Sequence, residues 1–182
     1  MSWRPTASTT RVSSPRHSLT QRLGSADAPL HVALVEPEIP PNTGNVARLC
    51  AATGCTLHLV EPLGFSIDDR ELKRAGLDYW HHVGLVVHPS LESFLKSTAA
   101  LRRWFFSTRG RQLYSKAGFA RGDVLVFGKE TKGLPAELLE RHRDRTLRIP
   151  MRPDSVRSIN LSTAVGIVTY AALAKLGFPE LA

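Results

Sequence analysis

"VEPEIPPNTGNVARLC" occupies residues 35–50 and sets three prolines, two asparagines and a glycine between two very different runs. Before it, "HVALVE" (31–36) is short, apolar and β-branched, as a buried strand requires. Within it begins "GNVARLCAATG" (44–54), where Val46, Leu49, Cys50 and Thr53 recur at helical spacing until Gly54 stops the run. A strand that turns sharply into a helix is the unit from which parallel sheets are built. The turn residues, two amide side chains and Arg48 at that junction therefore fall where α/β sheets place their ligands, at a strand's carboxyl end.

The alternation continues outward. "TLHLVE" (56–61), "GLVVH" (84–88), "RWFFST" (103–108), "DVLVFG" (123–128) and "TLRIP" (146–150) read as strands. "DDRELKRAGLDYW" (68–80) opens with acidic residues, as a helix N-terminus prefers. "SLESFLKSTAAL" (90–101) is a helix capped by Ser90, and "PAELLERHRD" (135–144) is one with proline at its first position. "NLSTAVGIVTYAALAKLG" (160–177) is the last and most apolar helix. The fold class predicted is α/β, a mostly parallel sheet with helices on both faces. Val35-Glu36-Pro37 and Val60-Glu61-Pro62 close the first two strands identically, although two copies do not make a repeat.

The chain of 182 residues suits one domain with length to spare, and a 42% hydrophobic content supports a real core. Residues 1–29 are rich in Ser, Thr, Arg and Pro with one acidic residue, and are expected to be a disordered basic extension; the domain spans 30–182. No apolar run reaches the ~18 residues of a membrane span, and the first thirty residues lack a secretory core. The formal charge of +8 favours an anionic partner such as nucleic acid. Cys50 and Cys55 form no disulfide framework, which points to a reducing cytoplasm. With His58 they suggest zinc only superficially, because a fourth ligand is missing; two small buried thiols, with no metal, are the expectation.

The chemistry must lie at the strand-to-helix seams. No G-x-G-x-x-G occurs, so a dinucleotide site is disfavoured, and "FGKET" lacks both the glycine and the hydroxyl of a phosphate loop. Three polar segments remain: "PPNTGNVAR" (40–48), "FGKETKGLP" (127–135) and "IPMRPDSVRSINLSTA" (149–164). Their glycines permit close backbone approach or positive φ, and Asn42, Asn45, Ser158, Asn160 and Ser162 offer short polar groups near helix starts. Together they describe a site for a polar ligand.

In order, spacing and strand context, "PPNTGNVARLCAATG" (40–54), "VFGKETKGLP" (126–135) and "IPMRPDSVRSINLSTAVGIVTYAAL" (149–173) resemble the three motifs of the SPOUT superfamily of RNA methyltransferases, in the ribose 2′-O branch. "EPEIPPNTGN" (36–45), "LHLVEPLGF" (57–65) and "RAGLDYW" (74–80) are further similar to the small single-domain tRNA (cytidine/uridine-34) 2′-O-methyltransferase group. The resemblance implies a carboxyl-terminal trefoil knot, which no periodicity would suggest. It also implies S-adenosyl-L-methionine as methyl donor, a homodimer, and the tRNA anticodon stem-loop as partner. Carried over, Asn42, Arg48, Glu130, Ser158 and Asn160 match the catalytic positions. Phe106, Thr108, Gly128, Ile149, Met151 and Ser158 match the donor-binding positions.

Arg48 is expected one helical turn inside its helix, binding the target's phosphate and hydroxyl; a guanidinium does not act as a base near neutrality. Glu130 is open to three roles: binding, capping the turn that follows it, or pairing with Arg48. Lys73, Arg74, Arg109, Arg111 and Arg157 are candidates for phosphate contacts, Tyr79 and Trp80 for base stacking or dimer packing, and Tyr170 for the knot or dimer interface. Three other readings stand beside the wobble-ribose enzyme: methylation of another tRNA position or of rRNA, a non-catalytic RNA-binding protein, and a Rossmann-type enzyme. The intact motif residues oppose the second and the missing glycine fingerprint the third.

Overall fold

The computed structural model describes residues 28–66 and 83–182. The expected basic extension, apart from its last two residues, and the predicted helix at 68–80, with Lys73, Arg74, Tyr79 and Trp80, lie outside the described residues. Among the described residues seven strands form one sheet: β1 (Leu30–Val35), β2 (Thr56–Val60), β3 (Gly84–His88), β4 (Arg103–Phe106), β5 (Gln112–Leu113), β6 (Asp123–Phe127) and β7 (Thr146–Arg148). Their order is β3-β2-β1-β6-β4-β7-β5, and every pairing is parallel.

Side-chain alternation divides each strand between two cores. Leu30, Val32 and Leu34 of β1 and Leu125 and Phe127 of β6 face one layer. There they meet Val46 and Cys50 of α1 (Pro40–Thr53) and Leu161, Val165 and Leu173 of the last helix, Leu161–Lys175. Ala33 and Val35 of β1 and Val124 and Val126 of β6 face the opposite layer. That layer is covered by Phe94 of α2 (Leu91–Ser97) and Leu138 of α3 (Ala136–Arg141), and the helix Leu161–Lys175 is α4. Helices on both faces of a parallel sheet are thus observed. Ser90 caps α2 by accepting from the Ser93 amide at 3.1 Å, as expected.

Three local differences have physical causes. α1 begins at Pro40 rather than near Gly44, because consecutive prolines lack amide donors and fit the first turn, where none is needed. Pro135 occupies the cap position of α3 instead of its first residue. The two-residue strand β5 was not anticipated within its polar loop, since two residues carry no alternation to read.

The zinc reading of Cys50, Cys55 and His58 fails on geometry. Both thiols are free and buried in the α1/α4 layer, whereas His58 packs edge-on to Phe94 on the other side of the sheet. Here His31, His58 and His88, one from each of three adjacent strands, form a buried chain. His31 Nδ1 lies 3.0 Å from His58 Nε2, and His58 Nδ1 lies 2.9 Å from His88 Nε2. His58 spends its two nitrogens on different neighbours, so the three rings do not converge on one ion. Burial lowers the affinity of all three for protons, and His58, further opposed by His31 and His88, falls to about 3.

A histidine whose folded pKa lies below its unfolded ~6.5 stabilises the fold fully above that value, and the contribution is lost as pH falls toward the folded pKa. His58 therefore predicts a loss of about 3 kcal/mol between pH 7.5 and 4.5. Urea titrations at the two pH values measure it, and His58→Gln, which cannot titrate, should flatten the difference. An equal pH dependence in His58→Gln would refute the assignment.

Candidate active site

The carboxyl ends of β1, β4 and β6, with the chain leaving β7, enclose a cleft of about 870 Å³. Its floor includes Phe106 and Phe127, adjacent in space and stacked at 4.6 Å between ring centroids. Three polar seams form its rim, and they are bonded to one another.

α1 has an N-terminus without its own cap: Ile39 stands at the cap position, and no acidic residue lies in the first turn. Prolines at its first two positions carry no amide and the Asn42 and Thr43 amides donate to the Ile39 carbonyl at 3.1 and 3.4 Å, so what the terminus lacks is a negative charge at its positive end. Glu130, distant in sequence, supplies one. Its carboxylate accepts from the Glu38 amide at 2.8 Å, the Ile39 amide at 3.3 Å and the Asn42 Nδ2 at 2.9 Å. Asn42, itself buried, accepts at its Oδ1 from Asn160 Nδ2 at 2.9 Å. Asn160 in turn caps α4, accepting from the Ser162 and Thr163 amides at 2.9 and 3.3 Å. One relay, Glu130–Asn42–Asn160, joins the starts of α1 and α4 to the loop after β6.

The loop's neighbours reinforce it. Lys129 Nζ donates to Glu36 at 2.5 Å, an ion pair that raises the lysine's pKa, and Thr131 donates from both amide and hydroxyl to Glu38. Three consecutive loop residues are thereby zipped onto the turn between β1 and α1. The loop closes on itself because Gly128 has no side chain: a Cβ there would lie 2.1 Å from the Gly133 carbonyl carbon. Gly133 completes the turn at φ 69°, a left-handed conformation that suits glycine. Glu36, at φ 51°, takes the same region without being glycine and still lines the cleft.

Of the residues read from sequence, Asn42, Glu130, Ser158 and Asn160 all line this cleft, as do Phe106, Thr108, Gly128, Ile149 and Met151. Arg48 does not. The early start of α1 puts it eight residues, ~12 Å of rise, from Pro40, two turns in rather than one. It lies on the exposed stripe of α1 with Asn45. Glu130 caps α1, a role outside the three expected for it. Of the phosphate candidates, Arg109 and Arg157 reach the cleft. Glu36, Glu38 and Thr131 were not singled out; the repeated Val-Glu-Pro at the strand end was the sequence signal for the first of them.

The arrangement offers an apolar floor, open backbone at three strand ends and carboxylates on the rim, suited to a flat heterocycle joined to a cationic group. Comparison with known proteins agrees. Residues 29–170 match the model of the SpoU rRNA Methylase family. A tRNA (cytidine(34)-2'-O)-methyltransferase of Saccharophagus degradans is 52% identical over 149 residues, covering 81% of this chain and 96% of its own length. A solved structure concerned with 2-OH methylation of C/U34 on tRNA superposes with a TM-score of 0.77 at 50% identity, covering 81% of this chain and 96% of the other. An AdoMet-bound rRNA methyltransferase from Sinorhizobium meliloti gives 0.73 at 26% identity, over 82% of this chain and 57% of that one.

Glu130→Ala removes the acceptor of three donors and should lower unfolding stability by about 2 kcal/mol. Asn160→Ala should cost about 1 kcal/mol. Because both residues bond Asn42, the double variant should lose measurably less or more than the sum in denaturant titrations. Strict additivity would mean the relay is not a unit.

Proposed function

The chain belongs to the SpoU rRNA Methylase family, and from that premise we propose that it is an S-adenosyl-L-methionine-dependent 2′-O-methyltransferase of the wobble nucleotide 34 of tRNA, cytidine or uridine. The observation that carries the reading is the relay of Glu130, Asn42 and Asn160, which gathers three motif segments around one cleft. The relatives named for C34 or C/U34 methylation, about half identical across nearly their whole length, supply the substrate.

The residues fit the donor. Phe106 and Phe127 give an apolar surface for a purine, Thr108, Gly128, Ile149 and Met151 bring backbone to its polar edge, and Glu130 places a carboxylate toward a cation. When bound, S-adenosyl-L-methionine supplies a methyl group on a sulfonium sulfur, which departs as a neutral thioether when the ribose oxygen takes the methyl. The protein's part is positioning and electrostatics. Asn42 and Asn160, each fixed by the other, hold the helix starts in place; Ser158, exposed on the rim, meets the ribose. Arg48 binds the target's phosphate and hydroxyl from the exposed face of α1, stabilising the alkoxide as its proton is lost.

The unit 30–182 carries this reaction as a homodimer in the cytoplasm. The dimer reading is supported by α4, where Ile167 and Tyr170 are exposed one turn apart and Tyr170 tilts against the exposed Phe178. The segment after β7 forms the trefoil knot of the family. It is supported by Ile149 and Met151, which share the cleft with the loops after β4 and β6 before α4 packs back against α1. Among the described residues no helix is long and apolar enough to cross a membrane.

Purified protein incubated with S-adenosyl-L-methionine and unmethylated tRNA should yield 2′-O-methylcytidine or 2′-O-methyluridine on nucleoside mass spectrometry, mapping to position 34. Arg48→Ala should reduce kcat/KM at least ~100-fold, the scale for losing one stabiliser of a developing oxyanion, while donor affinity stays within a few-fold. A protein that binds the donor yet methylates no tRNA would sink the proposal.

A further inference from the structure

A second cavity opens beside the catalytic cleft. It measures about 570 Å³ and is lined by Arg111, Lys116, Arg143 and Arg148, with Asp144 its one acidic residue. Asp144 already lies 3.8 Å from Arg145, outside the groove lining. Arg143 pairs with Glu140, also outside the lining, at 3.1 Å, and among the described residues the wall is cationic on balance.

Its position follows from two short segments. In the turn after β4, Ser107, Thr108 and Arg109 line the cleft, while Arg111, Gln112 and Leu113 line the groove. At the end of β7, Arg148 lines the groove and Ile149 the cleft. Groove and cleft are thus lined by neighbouring residues of the same two segments. Gly110, between Arg109 and Arg111, is pressed onto β7: a Cβ there would lie 2.4 Å from the Leu147 carbonyl carbon. Arg148 Nη1 fixes the same turn by donating to the carbonyls of Gly110 and Arg111 at 2.9 and 3.1 Å. The cationic row is consequently held in register with the cleft by backbone packing.

We propose that this groove binds the phosphates of the RNA strand flanking the methylated nucleotide, so that Arg109 at the cleft and Arg111, Lys116, Arg143 and Arg148 beyond it form one track. The inference rests on the methyltransferase reading. A chain charged +8 needs an anionic partner somewhere on its surface, and a row of mostly exposed arginines and a lysine leading out of a nucleotide cleft matches a polyanion rather than a compact anion. Among the described lining residues Gln112 alone carries an uncharged side chain that reads base edges, so the groove's main contribution is to affinity and register.

The test uses the full chain and a fluorescent anticodon stem-loop RNA, with anisotropy titrations across a salt series. The triple variant Arg111→Gln, Lys116→Gln, Arg143→Gln should weaken RNA binding at least tenfold. It should also reduce the slope of log K against log salt by ~0.7 to 0.9 for each phosphate that the variant no longer neutralises. In turnover the change should fall on KM for RNA, and calorimetric affinity for S-adenosyl-L-methionine should stay at the wild-type value, which also shows that the variant is folded. Lys96→Gln, which removes an exposed charge on α2 that lines neither the groove nor the cleft, should leave RNA binding unchanged. Wild-type affinity and slope in the triple variant would overturn the proposal, as would an equal loss in Lys96→Gln. So would polyglutamate displacing the RNA at equal charge concentration, which would reassign the groove to an acidic protein. Groove-dependent RNA binding without methyl transfer would uphold the groove and overturn the activity instead.

Discussion

The carboxylate of Glu130 is the interaction on which the site depends. Helix α1 begins with two prolines behind an isoleucine, a sequence that turns the chain sharply but puts no local carboxylate at the helix's positive end or on the Glu38 and Ile39 amides that lead into it. That carboxylate arrives from a loop 92 residues away, and it also orients Asn42. Asn42 then fixes Asn160 across a separation of 118 residues, and Asn160 starts α4. A single negative charge thereby couples the beginnings of both helices in one layer. Any ligand held by the cleft is held by parts that cannot move independently.

That coupling explains why glycines and an ion pair surround it. Gly128 must lack a side chain for the loop to fold onto Gly133, and only the folded loop presents Lys129, Glu130 and Thr131 in succession to the β1–α1 turn. The strained backbone of Glu36 is sustained by the same zipper, since its carboxylate is gripped by Lys129. The surface pair is not a large source of stability by itself. Its effect is to fix the loop's register, from which the stronger backbone-to-carboxylate bonds follow.

Much of this was legible in the sequence. Apolar runs of five or six residues separated by helical spacing foretold a parallel α/β sheet, because only a strand buried on both faces is continuously apolar. The three polar seams were visible as concentrations of Asn, Gly, Pro and Ser at strand ends, and seven of their eight candidate residues, all but Arg48, meet in one cleft with Phe106 and Thr108 from the strand end between them. What was hidden was long-range. No local pattern says that Glu130 caps a helix in another segment, or that His31, His58 and His88 line up through sheet register. The position of Arg48 was misjudged by a turn because proline reads as a helix breaker, although it is equally at home in a first turn.

The histidine chain and the Glu130–Asn42–Asn160 relay show two opposite uses of polarity in one sheet. On the α2 side, three imidazoles satisfy one another and remain neutral, which fixes strand register without any charge to solvate. On the α1 side, a carboxylate accepts from two backbone amides and an asparagine at a helix start, and it stands at the cleft rather than within the core. A charge held this way attracts a cation without being neutralised by a side-chain partner. The sheet's topology assigns these roles: at the ends of β1 and β6 the backbone separates into loops whose amides are available, whereas along β1 to β3 they are consumed by the ladder. The chemistry therefore has to sit at the carboxyl edge, and the basic groove adjoins it where Arg148 at the end of β7 holds the turn after β4, while Arg143 and Asp144 enter the groove from the amino end of β7.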